Sequence, residues 1–140
     1  AGGEPRTALV VDVRLPNGQE LAVIDIHFDW VRDDTKRFRQ ATKLAEFLDS
    51  LTMPYVLLGD FNDELGSRTL SLFAERALRA ANASGERFTY SSKQPVKEID
   101  FIFAAPPARW RVAEAFPVAE EIASDHRPVV AVLECEPAAR

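Results

Sequence analysis

The sequence lacks the features that would assign it to several broad classes of protein. Its single cysteine, Cys135, excludes an intrachain disulfide and a metal site built from thiolates. No apolar run approaches the ~18 residues that a membrane-spanning helix needs. The formal net charge is -5, so there is no overall basic surplus of the kind that drives unspecific binding to nucleic acid.

What is present is typical of a soluble globular protein. Hydrophobic residues make up 46% and charged residues 28% of the 140 residues, enough for one compact domain with a modest core. No linker or repeat divides the chain. It begins with Ala1-Gly2-Gly3 and carries no secretory signal pattern there, so we expect the natural amino terminus to be missing. The localisation therefore stays unknown.

Alternating strand and helix patterns predict an α/β layered domain. The turn signal Pro16-Asn17-Gly18 predicts that the first two strands form a hairpin. In chain order, the predicted elements are strands over 7–14 and 21–27, a helix from Asp33 or Asp34 to about Leu51, a strand over 55–58, a shorter helix capped by Ser67, a short extended piece over 88–90, and strands over 98–104, 110–118 and 128–134.

The stretch from Tyr55 to Asp63 carries the strongest local signal. Its four leading apolar residues predict a strand buried on both faces, and Gly59 ends that pattern. Alternate side chains of an extended chain share a face, so Asp60 and Asn62 point one way and Phe61 points into the core. An acid and an amide at a strand end suit metal-assisted or general-base chemistry. Gly, Asp and Asn are equally common in turns, and the stretch alone leaves both interpretations open.

The sequence contains only two histidines, and both lie near predicted strand ends. A histidine in such a place is often a surface or structural residue, which is the simpler interpretation of His27. His126 is less ordinary because it follows Asp125 in a polar run just before a buried strand. Asp100 is an acid inside an apolar strand, where burial costs free energy unless a partner satisfies the carboxylate. We therefore predict that Asp100 holds His126 and fixes its tautomer.

Taken in order, these motifs resemble the endonuclease/exonuclease/phosphatase superfamily of deoxyribonuclease-like, metal-dependent phosphohydrolases. The resemblance lies in a strand ending in His27, then Gly59-Asp60-Phe61-Asn62, then Ile99-Asp100-Phe101-Ile102-Phe103, then Ser124-Asp125-His126-Arg127-Pro128. It covers essentially the whole chain, but only the later half or so of a family domain that usually has ~250 residues. It implies a layered α/β sandwich of the deoxyribonuclease-like type, with residues 1–140 forming a partial domain.

The resemblance implies a hydrolytic centre around the acids and the amide. Asp60 would orient or deprotonate the attacking water and help to hold a metal ion. Asn62 would place the water or the phosphate of the substrate. Asp125 would hold the metal, directly or through water. Ligands that offer only oxygen suit Mg²⁺, with Mn²⁺ or Ca²⁺ as alternatives.

The resemblance also implies roles for both histidines, which would bind the substrate and stabilise the charge on its phosphoryl group. His126 would do so while held by Asp100, and His27 matches the second catalytic histidine of the family. Glu4 matches the acid that pairs with that histidine in deoxyribonuclease-like members. Without the family, Glu4 is simply a solvated acid near the chain terminus.

The departures from the family pattern are as informative as the match. The early asparagine and the principal metal-binding glutamate of the family have no counterpart, because they belong to the first half of the domain. Three interpretations follow: a piece of a longer enzyme, which we favour; a chain whose exposed sheet face is covered by another chain or by a second copy; or a catalytically silent half-domain that acts in binding or assembly. The substrate could be a nucleic acid, a phospholipid or a sugar phosphate.

Overall fold

The computed structural model describes residues 4–81 and 85–137. The segment Ala1-Gly2-Gly3, on which the expectation about the amino terminus rests, lies outside them. The elements are β1 (Ala8–Arg14), β2 (Glu20–His27), α1 (Thr35–Asp49), β3 (Tyr55–Asp60), α2 (Arg68–Ala74), β4 (Leu78–Arg79), β5 (Asp100–Ala105), a 3-10 turn (Pro107–Arg109), β6 (Trp110–Pro117) and β7 (Val129–Cys135). The sequence missed only β4 and the 3-10 turn, which are too short to show a periodicity.

The strands form two sheets. The larger has five strands in the order β1-β2-β3-β5-β4, and the smaller consists of the β6–β7 hairpin. Within the larger sheet, β1 and β2 form the predicted antiparallel hairpin, β2 runs parallel to β3 across the α1 crossover, and β5 is antiparallel to both β3 and β4. The carboxyl ends of β2 and β3 therefore lie beside the amino end of β5, at the same end of the sheet.

The two faces of the larger sheet are covered differently. Both helices lie on one face, over a core that includes Ile24, Leu57 and Phe103, each fully buried. The β6–β7 hairpin packs on the opposite face, where Trp110 meets a smaller apolar cluster containing Ala104 and Leu21. The result is a helix–sheet–sheet arrangement, which confirms the predicted α/β layered sandwich.

Side chains at the helix starts explain where each helix begins. Ser67 caps α2 as predicted, with its hydroxyl accepting a hydrogen bond from the Leu70 N–H. At the start of α1, Asp33 accepts from the Thr35 N–H at 3.0 Å. Asp34 occupies the cap position itself, but its carboxylate pairs with Arg68 of α2 instead. The two helices are thereby tied together at their amino ends.

The prediction that β3 is buried on both faces is only half right. Tyr55 and Leu57 face the helices and are buried, whereas Val56 and Leu58 on the other face are half-buried. The reason is that the β6–β7 hairpin is narrower than the sheet it covers. At the edge, Leu9 and Val11 of β1 remain 62% and 47% exposed. Neither described helix is long and apolar enough to cross a membrane.

Gly59 fixes the contact between β2 and β3. Its φ of +134° lies in a region that L side chains rarely adopt, and a Cβ added there would lie 2.0 Å from the carbonyl oxygen of Ile26. Only glycine therefore lets the two backbones approach this closely. The residue directly after it is Asp60, so the position of the acid depends on this approach.

Replacing Gly59 with alanine is expected to lower the free energy of unfolding by more than about 4 kcal/mol, because the new methyl group meets backbone atoms that cannot give way. Gly66→Ala is the matched control: its φ is also positive, at +91°, but nothing lies within 4 Å of an added Cβ. That variant should lose only about 1–2 kcal/mol. Urea denaturation of both proteins measures the difference, and equal losses would contradict the close approach at Gly59.

Candidate active site

The register of three neighbouring strands places three of the predicted residues in one row. His27 at the end of β2 pairs with Asp60 at the end of β3, which in turn pairs with Asp100 at the start of β5. Residues paired across a sheet present their side chains to the same face. The row lies on the face opposite the helices, and Phe61, which follows Asp60, is fully buried in the core, as predicted.

His126 completes this group from the loop before β7. Its Nδ1 lies 2.9 Å from Asp100 Oδ2, so the predicted hydrogen bond is present. Its Nε2 lies 3.9 Å from Asp60 Oδ2. The Nε2 atom of His27 approaches the same Asp60 oxygen at 3.3 Å. Asp60 therefore stands between two imidazoles, and acids and histidines from four separate segments converge on one rim.

The segment around Tyr90 holds His126 in place, and sequence reasoning did not identify it. The Tyr90 and His126 rings lie 5.0 Å apart between centroids, and the two residues form an isolated β-bridge. The Thr89 carbonyl accepts from the Arg127 N–H, and the Ser92 N–H donates to the Asp125 carbonyl, both at 2.7 Å. A short extended piece at 88–90 was the only signal in the sequence, and its pairing partner is far along the chain.

The two interpretations of the Asp60–Asn62 segment turn out to be compatible. Asn62 has a φ of +49°, and its backbone N–H donates to Asp60 Oδ1 at 2.8 Å, which makes a turn stabilised by the aspartate side chain. The same geometry keeps both side chains together, because Asn62 Nδ2 lies 3.3 Å from Asp60 Oδ2. Asn62 Nδ2 also donates to the Phe28 carbonyl at 3.0 Å, and this links the ends of β2 and β3. The turn is what builds this part of the site.

The surroundings shift the proton affinities of the two central groups. Burial raises the pKa of Asp60, and the nearby negative charge of Asp100 adds to this, against the opposing effects of the Asn62 N–H and the imidazoles. For His126, burial is the largest influence and lowers the pKa. The hydrogen bond to Asp100 and the charges of Asp100, Asp60 and Asp125 together outweigh it, so the pKa of His126 is raised. The pKa values of Asp60 and His126 are therefore both shifted upward by their surroundings.

Two predicted residues lie apart from this cluster. The Glu4 carboxylate lies 3.5 Å from the Arg6 guanidinium, and between these described residues the expected pair of Glu4 with His27 is not formed. The guanidinium offers a permanent charge, while His27 already has Asp60 beside it. Asp125 is exposed, and its carboxylate contacts the Ser124 hydroxyl at 3.4 Å.

Four basic residues could contact a phosphate, namely Arg68, Lys93, Lys97 and Arg127, and two of them are engaged elsewhere. Arg68 pairs with Asp34, as described above. Arg127 is buried, and its guanidinium donates to the Ser92 carbonyl at 2.8 Å and to Glu86 at 2.9 Å. Arg127 is therefore neither a solvated surface residue nor placed to contact a phosphate. It holds the loop before β7 against the segment that carries Ser92. Lys93 and Lys97 are exposed.

The donor atoms suit a divalent cation. Asp60, Asp100 and His126 each offer one ligand atom, and these atoms lie within 4.8 Å of one another. Two partly buried carboxylates that repel each other would be relieved by a cation between them. Carboxylate oxygens are the ligands of Mg²⁺, Mn²⁺ and Ca²⁺, whereas an imidazole nitrogen is a ligand more typical of transition metals. Among the described residues, the Asp125 carboxylate is not part of this close group.

Comparison with known proteins finds relatives that share the sequence or the fold of this chain. The UPF0294 protein of Vibrio parahaemolyticus is 30% identical over 131 residues, which cover 90% of this chain and 44% of that protein. A solved endonuclease/exonuclease/phosphatase from Bacteroides vulgatus superposes with a TM-score of 0.77 at 24% identity, covering 94% of this chain and 56% of its own. A functionally unknown conserved protein from Enterococcus faecalis superposes with a TM-score of 0.73 at 26% identity, covering 84% of this chain and 51% of its own.

The chain therefore spans about half the length of the relatives that it matches. The match to the family model extends over residues 2–126, and so includes the row on the sheet and the loop that carries His126. On this match, and on a fold shared with solved members, the chain belongs to the Endonuclease/Exonuclease/phosphatase family.

Proposed function

We propose that the chain is the later part of a family domain that hydrolyses a phosphodiester or a phosphomonoester with activated water and a divalent metal ion. The single observation that carries the proposal is the convergence on Asp60. Two imidazoles approach one of its oxygens, and Asp100 lies beside it in the next strand. Family membership supports hydrolysis as the class of reaction.

Asp60 is the group best placed to act on water. Its Oδ1 accepts from the Asn62 N–H, which fixes the carboxylate plane and leaves Oδ2 facing the histidines. A carboxylate with a raised pKa is a better acceptor for a proton from water. The side-chain N–H groups of Asn62 donate to the Phe28 carbonyl and to the Asp60 carboxylate. The side-chain carbonyl oxygen of Asn62 would help to place the water or the phosphate.

The two histidines would stabilise negative charge on the phosphoryl oxygens. Asp100 binds His126 through Nδ1, so that Nε2 is left to face Asp60 and the substrate. His27 presents its Nε2 to the same side of Asp60. Donors held in place before the reaction stabilise the developing charge without having to reorganise.

The metal would be held by Asp60, with Asp125 contributing directly or through water. A bound divalent ion supplies further neutralisation of phosphoryl charge and polarises the attacking water. Mg²⁺ is the proposed ion, with Mn²⁺ or Ca²⁺ as alternatives. The substrate would be the phosphate ester of a nucleic acid, a phospholipid or a sugar.

A catalytically silent half-domain that acts in binding or assembly is the second candidate. It is favoured by the exposed apolar residues Leu9 and Val11 of β1, since they offer a surface that another chain or a second copy could cover. The two candidates differ in whether the site needs a metal.

Titration calorimetry with Mg²⁺ and Mn²⁺, beside a generic phosphodiester assay with and without chelator, separates the two candidates. We expect the 140 residues alone to bind metal weakly and to hydrolyse little. Asp60→Ala should abolish the binding heat and the chelator-sensitive hydrolysis without unfolding the protein. Asp25→Ala, which removes an exposed acid from β2, is the matched control and should change neither.

Two results would count against this picture. Absence of metal binding by the unmodified chain would favour the half-domain that acts in assembly. Robust Mg²⁺-dependent hydrolysis by the isolated monomer would contradict the proposal that the domain is partial. In the intact enzyme, a His126→Ala variant with near-normal turnover would refute the role given to this residue.

Asp100→Asn tests the pairing with His126. In the intact enzyme, it should lower turnover about 10²- to 10⁴-fold, because the amide no longer enforces the tautomer or stabilises the imidazolium. The free energy of unfolding should fall by only about 1–3 kcal/mol. Nitrogen-15 spectra of the His126 ring report the change in protonation directly, and an unchanged spectrum would show that Asp100 does not control the imidazole.

A further inference from the structure

Arg37 is a buried charge that the proposed chemistry does not use. It lies in the first turns of α1, and only 7% of its surface is exposed. A charged side chain is rarely buried to this degree unless other groups satisfy it. A charged residue of a helix is expected on its solvated face, so the contacts that Arg37 makes in the interior must explain its position.

The guanidinium of Arg37 joins two loops that carry the site. The first site loop is residues 28–31, directly after His27, and the second site loop is residues 61–63, directly after Asp60. Nη1 of Arg37 donates to the carbonyl oxygens of Asp29 at 3.0 Å and Val31 at 3.1 Å. Its Nε donates to the carboxylate of Asp63 at 3.1 Å.

The same two loops also contact each other close to the reacting groups. The Phe28 N–H donates to the Asp60 carbonyl at 2.9 Å, and the Phe28 carbonyl accepts from the Asn62 side chain at 3.0 Å. On the outer side, Gln40 of α1 accepts from the Asp29 N–H at 2.9 Å. The first site loop is therefore held between the second site loop and α1, and Arg37 is the residue that reaches both loops.

The planar guanidinium suits this task because its donors project in a fixed fork. Two carbonyls of one loop and a carboxylate of the other can be bound at once only if the loops keep one relative position. A lysine, with a single flexible ammonium, would not impose that geometry. The Arg37 and Asp63 side chains are both largely shielded from water, at 9% and 16% exposed, so the arrangement resists exchange with solvent.

We infer that Arg37 is a positioning residue, which sets the separation of His27 from Asp60 and Asn62 by binding both site loops. This inference rests on the proposed function, in that those residues are taken as the reacting groups. Among the described residues, the hydrogen bonds of Arg37 go to Asp29, Val31 and Asp63, and none goes to the residues taken as reacting groups. By holding the loops that follow β2 and β3, Arg37 keeps the imidazole of His27 at a fixed distance from the carboxylate of Asp60.

Amide hydrogen exchange tests the inference without any ligand. In Arg37→Met, the amides of Asp29, Val31 and Asn62 should exchange at least about tenfold faster, while Leu57 and Phe103 in the sheet core change less. Arg39→Met is the matched control, because Arg39 is exposed on the same helix, and it should leave all of these amides unchanged. Equal acceleration at the loops and at the core would overturn the inference, since that pattern means Arg37 only stabilises the fold.

Asp63→Asn tests the contact of Arg37 with the second site loop separately from its contacts with the first. This variant also replaces Arg37→Met as the test if Arg37→Met does not fold. It weakens the contact with the second site loop but retains both carbonyl contacts with the first. Exchange should therefore accelerate at Asn62 more than at Val31. Acceleration of both amides to the same extent, or of neither, would contradict a specific link from Arg37 to the second site loop.

Calorimetry with Mn²⁺ then connects the loop geometry to the site. Arg37→Met should weaken Mn²⁺ binding at least about tenfold and Arg37→Lys nearly as much, whereas Arg39→Met should match the unmodified chain. Unchanged Mn²⁺ affinity in Arg37→Met, with the loops loosened, would refute a positioning role toward the site. If the unmodified chain binds no Mn²⁺, the proposed function fails, and the exchange measurements still decide whether Arg37 holds the loops.

Discussion

The register of β2, β3 and β5 is the constraint on which the rest of the structure depends. It is fixed where the backbone of β2 closes on Gly59, one residue before Asp60. In a sheet, a shift of one residue moves every side chain to the opposite face. Such a shift in β3 would send Asp60 into the apolar core under the helices and expose Phe61 in its place. The same register of β3 is therefore required both for the packing of the core and for the geometry of the site.

Beyond the strand ends, the site depends on loops held by buried hydrogen bonds. Asn62 adopts its left-handed backbone because Asp60 and Phe28 bind it from two sides. On the other side of the site, buried Arg127 and the 89–92 segment fasten the loop of His126. These are contacts of polar groups with backbone carbonyls, which specify one arrangement more strictly than apolar packing does. The side chains of the candidate site can therefore stay partly exposed while the residues that hold them are buried.

The exposed apolar edge belongs to a chain that spans about half the length of the relatives it matches. The helices complete one face of the larger sheet, whereas the β6–β7 hairpin covers only part of the other. β1 is the edge strand of the larger sheet and is exposed along most of its length, including Leu9 and Val11. An edge strand can pair with another strand. The row of His27, Asp60 and Asp100 lies on the same partly covered face, so a partner that covered that face would also adjoin this row.

From the residues alone we could predict the order of the main elements, the layered fold, the cap at Ser67 and the pairing of Asp100 with His126. Each of these predictions follows from a local period, a capping residue or an acid that needs a partner. Only the folded chain shows that Arg37 is buried and that Tyr90 packs on His126. The physical reason is distance along the chain: such contacts join segments whose own sequences would be equally stable beside other neighbours, and only the folded packing selects among them.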